Sequence, residues 1–240
     1  MLETKTTYDS SIPGTLERAE QYHKSKNSIS RYLAYRDLND LFAKYVTGKE
    51  VLDYGAGTGI STEFLRQQGF NVTGVDINAK MLKLARRNRD INFYQIEPYS
   101  IFAKDKYDLI FSSFVLDEVP TLEKIILYFK AAKAALKKDG VFIMVTGNAE
   151  VTKEDFLTIE IDACSYPPCS GDIRKIYVPE FGIEFHDYYW TRADYNNALN
   201  KAGLELKEIH YPLGKPEDDI PWRDELYESP YIILVAAVKA

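Results

Sequence analysis

Apolar and polar positions fall into alternating blocks along most of this chain. Glu50–Asp53, Asn71–Asp76, Ile91–Gln95, Tyr107–Ser112 and Val141–Thr146 read as short apolar strands, with segments of helical period between them. In the first of those segments Ile60, Phe64 and Leu65 recur at helical spacing over Thr58–Gln68, and Gly69 stands just past the end as a C-cap signal. Met81, Leu84 and Ala85 mark the next helix. Regular alternation of strand and helix predicts an α/β fold: a mostly parallel sheet with helices on both faces and ligands at the carboxyl ends of its strands.

The pattern returns after Trp190. Thr191 with Asp194 forms a capping-box signature ahead of a helix that ends at Gly203, and strands follow at Leu204–Tyr211 and Tyr231–Lys239. At 240 residues and 45% apolar content the chain can bury one core, so a single domain is expected. Residues 49–146 form its core and 191–240 complete it. Residues 1–48, where Ile29, Leu33, Arg36, Asp37, Leu41 and Tyr45 suggest a helix leading into the first strand, read as an N-terminal helical lid. Residues 147–190 read as an inserted cap, because long insertions in a compact domain are usually lids or binding loops.

The densest chemistry lies in EVLDYGAGTGIS, Glu50 to Ser61. Val51 and Leu52 anchor a buried strand, and Gly55, Gly57 and Gly59 permit backbone angles and close approaches that a side chain would block. A ligand can therefore lie directly on main chain. The dinucleotide fingerprint Gly-x-Gly-x-x-Gly/Ala fails, since counting from Gly55 puts Ile60 at its third position and counting from Gly57 puts Thr62 there. An acid, Asp53, placed before Gly-x-Gly-x-Gly at the end of a strand points instead to a nucleoside-type cofactor with an amino-acid tail, with S-adenosylmethionine as the expectation.

The second strand, NVTGV, ends on Asp76. A carboxylate there can accept two hydrogen bonds from a ribose diol, each charge-assisted and worth roughly 1.5 to 3 kcal/mol. The other reading of Asp76 is an N-cap for the helix holding Met81, with Asn78 a competing cap.

With these residues in view the sequence resembles the class I S-adenosylmethionine-dependent methyltransferases. VLDYGAGTG (Val51 to Gly59), GVDINAKMLKLA (Gly74 to Ala85), KYDLIFSSFVLDEV (Lys106 to Val119) and LKKDGVFIMV (Leu136 to Val145) carry the likeness, which spans most of the chain. The resemblance implies a Rossmann-like, seven-stranded sheet whose final strand is antiparallel. It implies that Asp53 and the loop Gly55, Ala56, Gly57 and Gly59 hold the methionine end, Asp76 the ribose, and Ile77 with Met81 the adenine. It further implies cofactor contacts at Ser113 and Phe114, an acid near the adenine amine for which Glu97 in QIEPYSI is the nearest residue, and cofactor-closing positions at Tyr8 and Arg36.

Acceptor chemistry is sought in the insertion. In GIEFHDYYW, period two places Glu184, His186, Tyr188 and Trp190 on one face and Ile183, Phe185, Asp187 and Tyr189 on the other. Of the histidines His23, His186 and His210, His186 sits between aromatics, so His186 and Tyr188 are read as lining the acceptor pocket, with His186 a candidate general base. A packed or surface strand histidine is the plainer alternative. Asp117 and Glu118 follow the fourth strand in SSFVLDEVP; Asp117 is either a carboxylate facing the acceptor, holding an amine, or an acid complementing a helix dipole.

Charge narrows the partners. A net charge of −6 lacks the basic stripe that a nucleic-acid substrate requires, and the basic runs Lys80–Arg89 and Lys124–Lys138 read as solvated helix faces. Absent an 18-residue apolar run or a signal pattern, the expectation is a cytoplasmic protein with no membrane contact, a monomer or homodimer. Cys164 and Cys169 in CSYPPC have no zinc spacing and read as free thiols, and no metal is expected. Many of the 18 tyrosines fall in the two lid segments, where they can pack and offer hydroxyls. The function expected is methyl transfer to N or O of a small-molecule acceptor; action on protein or modified RNA, or cofactor binding without catalysis, are the alternatives.

Overall fold

In the computed structural model, which describes residues 6–8, 16–87, 90–152, 155–161 and 168–239, the apolar blocks of the sequence become the strands of a layered α/β fold. The first described elements are β1 (Thr6–Tyr8), α1 (Leu16–Lys24), α2 (Ile29–Tyr35) and α3 (Leu38–Tyr45). The alternation then runs β2 (Glu50–Tyr54), α4 (Ile60–Gln67), β3 (Asn71–Asp76), α5 (Ala79–Ala85), β4 (Asn92–Gln95), β5 (Tyr107–Ser113), α6 (Leu122–Ala135) and β6 (Leu136–Gly147). After these come β7 (Glu160–Ile161), β8 (Ile173–Val178), β9 (Ile183–Tyr188), α7 (Arg192–Ala202), β10 (Leu204–His210) and β11 (Tyr231–Val238).

The main sheet has seven strands in the order β10-β11-β6-β5-β2-β3-β4. Strands β4, β3, β2, β5 and β6 are parallel, and β11 runs antiparallel to both β6 and β10. Period two along each strand sorts its side chains between two cores. Leu52, Ile110, Phe142, Met144 and Leu234 face α6 and α7 through Tyr128, Phe129, Tyr195 and Leu199. Val51, Leu109, Phe111, Ile143, Val145 and Ile233 face the opposite way, onto Leu33, Leu38, Leu41, Phe42 and Leu65 of α2, α3 and α4. Phe129 and Phe142 are fully buried, and each such ring contributes about 1.5–3 kcal/mol.

Helix ends follow local chemistry. Thr191 caps α7 in a capping box with Asp194, and Gly203 closes it at φ 80°. The single helix expected from Ile29 to Tyr45 is two. Arg36 N bonds Leu33 O, which ends α2, and the side chains at the break turn to distant partners, Arg36 to Asp218 at 2.6 Å and Asp37 to His210 at 2.8 Å.

A second sheet, in the order β1-β9-β8-β7, joins the two segments outside the core. Strand β1 pairs in parallel with β9, Thr6 opposite Ile183 and Tyr8 opposite Phe185, so the N-terminal segment and the insertion share one sheet. No helix among the described residues is long and apolar enough to cross a membrane.

Candidate active site

The carboxyl ends of β2, β3 and β5 open into a cavity of about 390 Å³ whose far wall is built by β8 and β9 of the second sheet. Strand β2 hands the chain to the glycine loop at Asp53, which is buried. Its Oδ2 accepts hydrogen bonds from Ser61 and Thr62 at 2.7 and 2.5 Å, while its Oδ1 is buried without a partner. Burial pushes this carboxyl up to about 6 against the pull of the two hydroxyls.

The loop is pinned to β3. Gly55 N and Ala56 N both donate to Val75 O at 2.9 Å, and Gly57 N donates to Asp76 Oδ2 at 2.7 Å. Gly55 has φ 97°, and a Cβ there would fall 2.3 Å from Val115. A Cβ on Gly57 would meet nothing within 4 Å, so its backbone faces open space on the cavity side. Asp76 Oδ1 accepts Asn78 N at 2.7 Å, and Asn78 rather than Asp76 caps α5, through Lys80 N and Met81 N. Asp76 therefore holds the loop while its remaining lone pairs face the cavity, which it lines.

Gly55, Gly57, Asp76, Ile77, Met81, Ser113, Phe114, Asp117 and Tyr188 all line this cavity. Asp53, Ala56 and Gly59 stand behind it: Ala56 packs on Leu82 and Ala85, and a Cβ on Gly59 would come within 3.2 Å of Ala85. Phe114 holds φ 54°, an uncommon angle for a side chain of its size that aims the ring into the cavity.

Three expectations are corrected. His186 lies outside the lining, on the other side of β9 from Phe185 and Asp187, with its Nε2 3.2 Å from Glu184 Oε1 and Lys175 as its cross-strand neighbour. The apolar face of β9 turned inward, and the histidine went with the polar one. Arg36 is also outside, held by Asp218 and by Leu213 O at 2.9 Å, because the break between α2 and α3 rotates it away. Glu97 is exposed, and its neighbours Ile96, Pro98 and Tyr99 line the wall instead. The side chain of Tyr8 and all of Cys164 lie outside the described residues; Cys169 is a free, exposed thiol.

Of the charged residues that line the cavity, Arg31, Lys124, Arg174 and Asp187 were not among the expected site residues. Arg31 of α2 lines it, with Nη1 3.2 Å from the Tyr35 hydroxyl and its guanidinium over the rings of Tyr22, Tyr35 and Phe114. Asp187 of β9 lines the opposite end near Asp117 and Glu118. The Asp117 carboxylate accepts from the Thr146 hydroxyl and from Gly147 N, and burial pushes it up to about 6. Burial, then the charges of Asp117 and Glu118, hold Asp187 well above the usual carboxylate range. Trp190 Nε1 donates to Val119 O at 3.0 Å and fastens the end of β9 to the turn that carries these acids.

The residues present fit S-adenosylmethionine. An orphaned carboxylate oxygen on Asp53 suits the ammonium of an amino-acid tail, bare backbone at Gly57 leaves room beside it, and Asp76 offers acceptors for a diol.

Comparison with known proteins agrees. A family model described as a methyltransferase domain matches residues 26–209. A ubiquinone biosynthesis O-methyltransferase of Haemophilus ducreyi is 32% identical over 201 residues, covering 79% of this chain and 79% of that protein. Another, of Thiobacillus denitrificans, is 25% identical over 211 residues, covering 80% and 82%. The crystal structure of an S-adenosylmethionine-dependent methyltransferase from Clostridium acetobutylicum shares the fold, with a TM-score of 0.66 at 17% identity over 93% of this chain and 99% of that one.

Proposed function

The chain belongs to the class I S-adenosylmethionine-dependent methyltransferases, and we propose that it methylates a hydroxyl oxygen of a small, largely apolar acceptor, with Asp117 receiving the hydroxyl proton. The observation that carries this reading is the Asp117 carboxylate on the wall of the cavity into which the glycine loop and Asp76 also open. The relatives are named O-methyltransferases, and apolar side chains such as Ile176, Val178 and Phe185 line the cavity.

S-adenosylmethionine supplies a methyl group on a sulfonium, an electrophile that already carries its leaving group. The protein's part is placement. Asp53 would take the tail ammonium, Arg31 the tail carboxylate, Asp76 the ribose hydroxyls, and Ile77 with Met81 the adenine, while Ser113 and Phe114 would shape the passage toward the acceptor. Holding two reactants in line accounts for about 7–11 kcal/mol of barrier lowering. Asp117 adds a base whose strength is set by burial, which raises its carboxyl and makes it more basic than an exposed aspartate. The Thr146 hydroxyl and Gly147 N fix its direction.

The reading places the chain in the cytoplasm, as a monomer or homodimer acting on a free small molecule, and the net charge of −6 supports the absence of a nucleic-acid partner. Labelled-methyl transfer to a panel of phenols and alcohols, with Asp117→Asn beside the wild type, tests it. Turnover should fall by about 10²–10⁴ in the variant while calorimetric affinity for S-adenosylmethionine holds. Undiminished turnover would remove Asp117 from the chemistry.

A further inference from the structure

We propose that Asp187, with Glu118 beside it, forms a cation seat at the acceptor end of the cavity, so that the molecule methylated carries a protonated amine as well as its hydroxyl. The acceptor class is then an amino alcohol or an aminoalkyl phenol. This inference rests on the hydroxyl-transfer reading above.

Asp187 lies on the inward face of β9, on the cavity wall with Phe185 and Tyr188. No hydrogen bond reaches its carboxylate among the described residues. The acidic groups that act on it are Asp117 and Glu118, from the 3-10 turn Leu116–Glu118 against which β9 packs. The Trp190 bond to Val119 O ties the end of the strand to the turn that carries these acids.

Arg174 lines the same cavity opposite Asp187 in the β8–β9 register, and its charge pulls the Asp187 carboxyl down, but its guanidinium donates to Ala149 O at 2.6 Å and lies over the Tyr189 ring rather than bonding the carboxylate. Lys124 lines the cavity from an exposed helix position, and Arg31 stands at the other end among Tyr22 and Tyr35. Asp117 is satisfied by Thr146 and Gly147; among the described residues Asp187 has no comparable donor.

Asp187 is half-buried; a carboxylate so placed without donors is costly, and a second and third carboxylate nearby make it more so. Among the described residues, no backbone N–H donates to Asp187. An ammonium offers three N–H donors and the missing charge, and the rings of Phe185 and Tyr188 on the same wall give it aromatic faces. A neutral acceptor leaves Asp187 unpaired, and an anionic one adds repulsion.

The test uses three phenols of similar size: tyramine, 4-ethylphenol and 3-(4-hydroxyphenyl)propionate. Each is titrated calorimetrically into the protein loaded with S-adenosylhomocysteine, and the position of the methyl group after turnover with S-adenosylmethionine is read by mass spectrometry. Tyramine should bind at least about tenfold more tightly than 4-ethylphenol, and the propionate more weakly than either. Asp187→Asn should erase the preference for tyramine while leaving 4-ethylphenol and cofactor binding within about twofold, and Glu118→Gln should reduce the preference in part. The melting temperature of Asp187→Asn should hold or rise, since an unpaired acid is removed. Equal binding of tyramine and 4-ethylphenol, failure of tyramine to bind, or a preference that survives Asp187→Asn, would overturn the cation seat and leave the hydroxyl reading standing. A methyl group found on the tyramine nitrogen would overturn both, because an ammonium held in the seat has no lone pair to accept it.

Discussion

The Tyr35 hydroxyl donates to Ser113 Oγ at 2.7 Å, bonding helix α2 to the carboxyl end of β5 within the cavity wall. The same hydroxyl lies 3.2 Å from Arg31 Nη1. Burial pushes the phenol up to about 12, so it stays a neutral donor and a fixed spacer between the N-terminal helices and the cofactor cleft. Through it, the position of the Arg31 cation depends on the core strand.

Tyr35→Phe removes both contacts while keeping the ring's edge contact with Phe111. A loss of about 1 kcal/mol in denaturant midpoint stability is expected, together with a several-fold weaker affinity for S-adenosylmethionine as Arg31 loses its guide. A variant with wild-type affinity would mean that Arg31 does not touch the cofactor.

Asp76 has two duties, accepting Gly57 N and Asn78 N and facing the cavity. Asp76→Ala should weaken the calorimetric affinity for S-adenosylmethionine by about 1.5–3 kcal/mol for each ribose bond lost. The glycine loop should loosen as well, seen as faster amide exchange at Gly57. Unchanged affinity with a loosened loop would confine Asp76 to the structural duty.

Asp53 sets a pH dependence. Its carboxyl is raised from 3.8 to about 6, so it holds its proton more tightly in the fold than in the unfolded chain. Its contribution to stability is therefore complete below pH 3.8 and is lost as pH rises through about 6. Melting curves of the cofactor-free wild type and Asp53→Asn between pH 4 and 7 should show the wild type losing ground to the variant, about where Asp53 ionises. Affinity for S-adenosylmethionine should rise over the same range, as the ionised carboxylate becomes available to an ammonium. A difference between the two proteins that stays flat across this range would refute the assignment.

His186 faces Glu184 on the outer side of β9, away from the cavity. His186→Ala should leave kcat within about twofold of wild type between pH 6 and 9, in contrast to the collapse expected of Asp117→Asn. Steady-state rates on the same acceptor decide between them.

Much of the cofactor side could be read directly from the chain, because its chemistry is local. Asp53, the glycine loop and Asp76 sit at the tips of two adjacent parallel strands, and a short loop with its flanking strand ends leaves few ways to arrange them. The order of elements from β2 to β6 and from α7 onward was legible for the same reason, as was the antiparallel last strand through the family likeness, whereas β7 and β8 were not foreseen. The acceptor side was harder. Alternation in GIEFHDYYW did separate Phe185 and Asp187 from His186, but which face turns inward depends on what the strand packs against. The clue was the apolar company of Asp187, between Phe185 and the tyrosines. Arg31 was hidden by treating residues 29–45 as one helix, when the break at Arg36 turns Arg31 inward and Arg36 outward.

By itself, then, the sequence determined the strand and helix order of the core from β2 to β6, the bare backbone at the glycine loop and the two acids that frame it, since these follow from side-chain period, glycine stereochemistry and neighbours close in the chain. Only the tertiary structure decided that β1 joins β9, and that Asp117 and Asp187 share one wall. Those pairings bring together residues far apart in the chain, and they are selected by burial of one strand face over the other, a choice made by the whole core rather than by any segment of it.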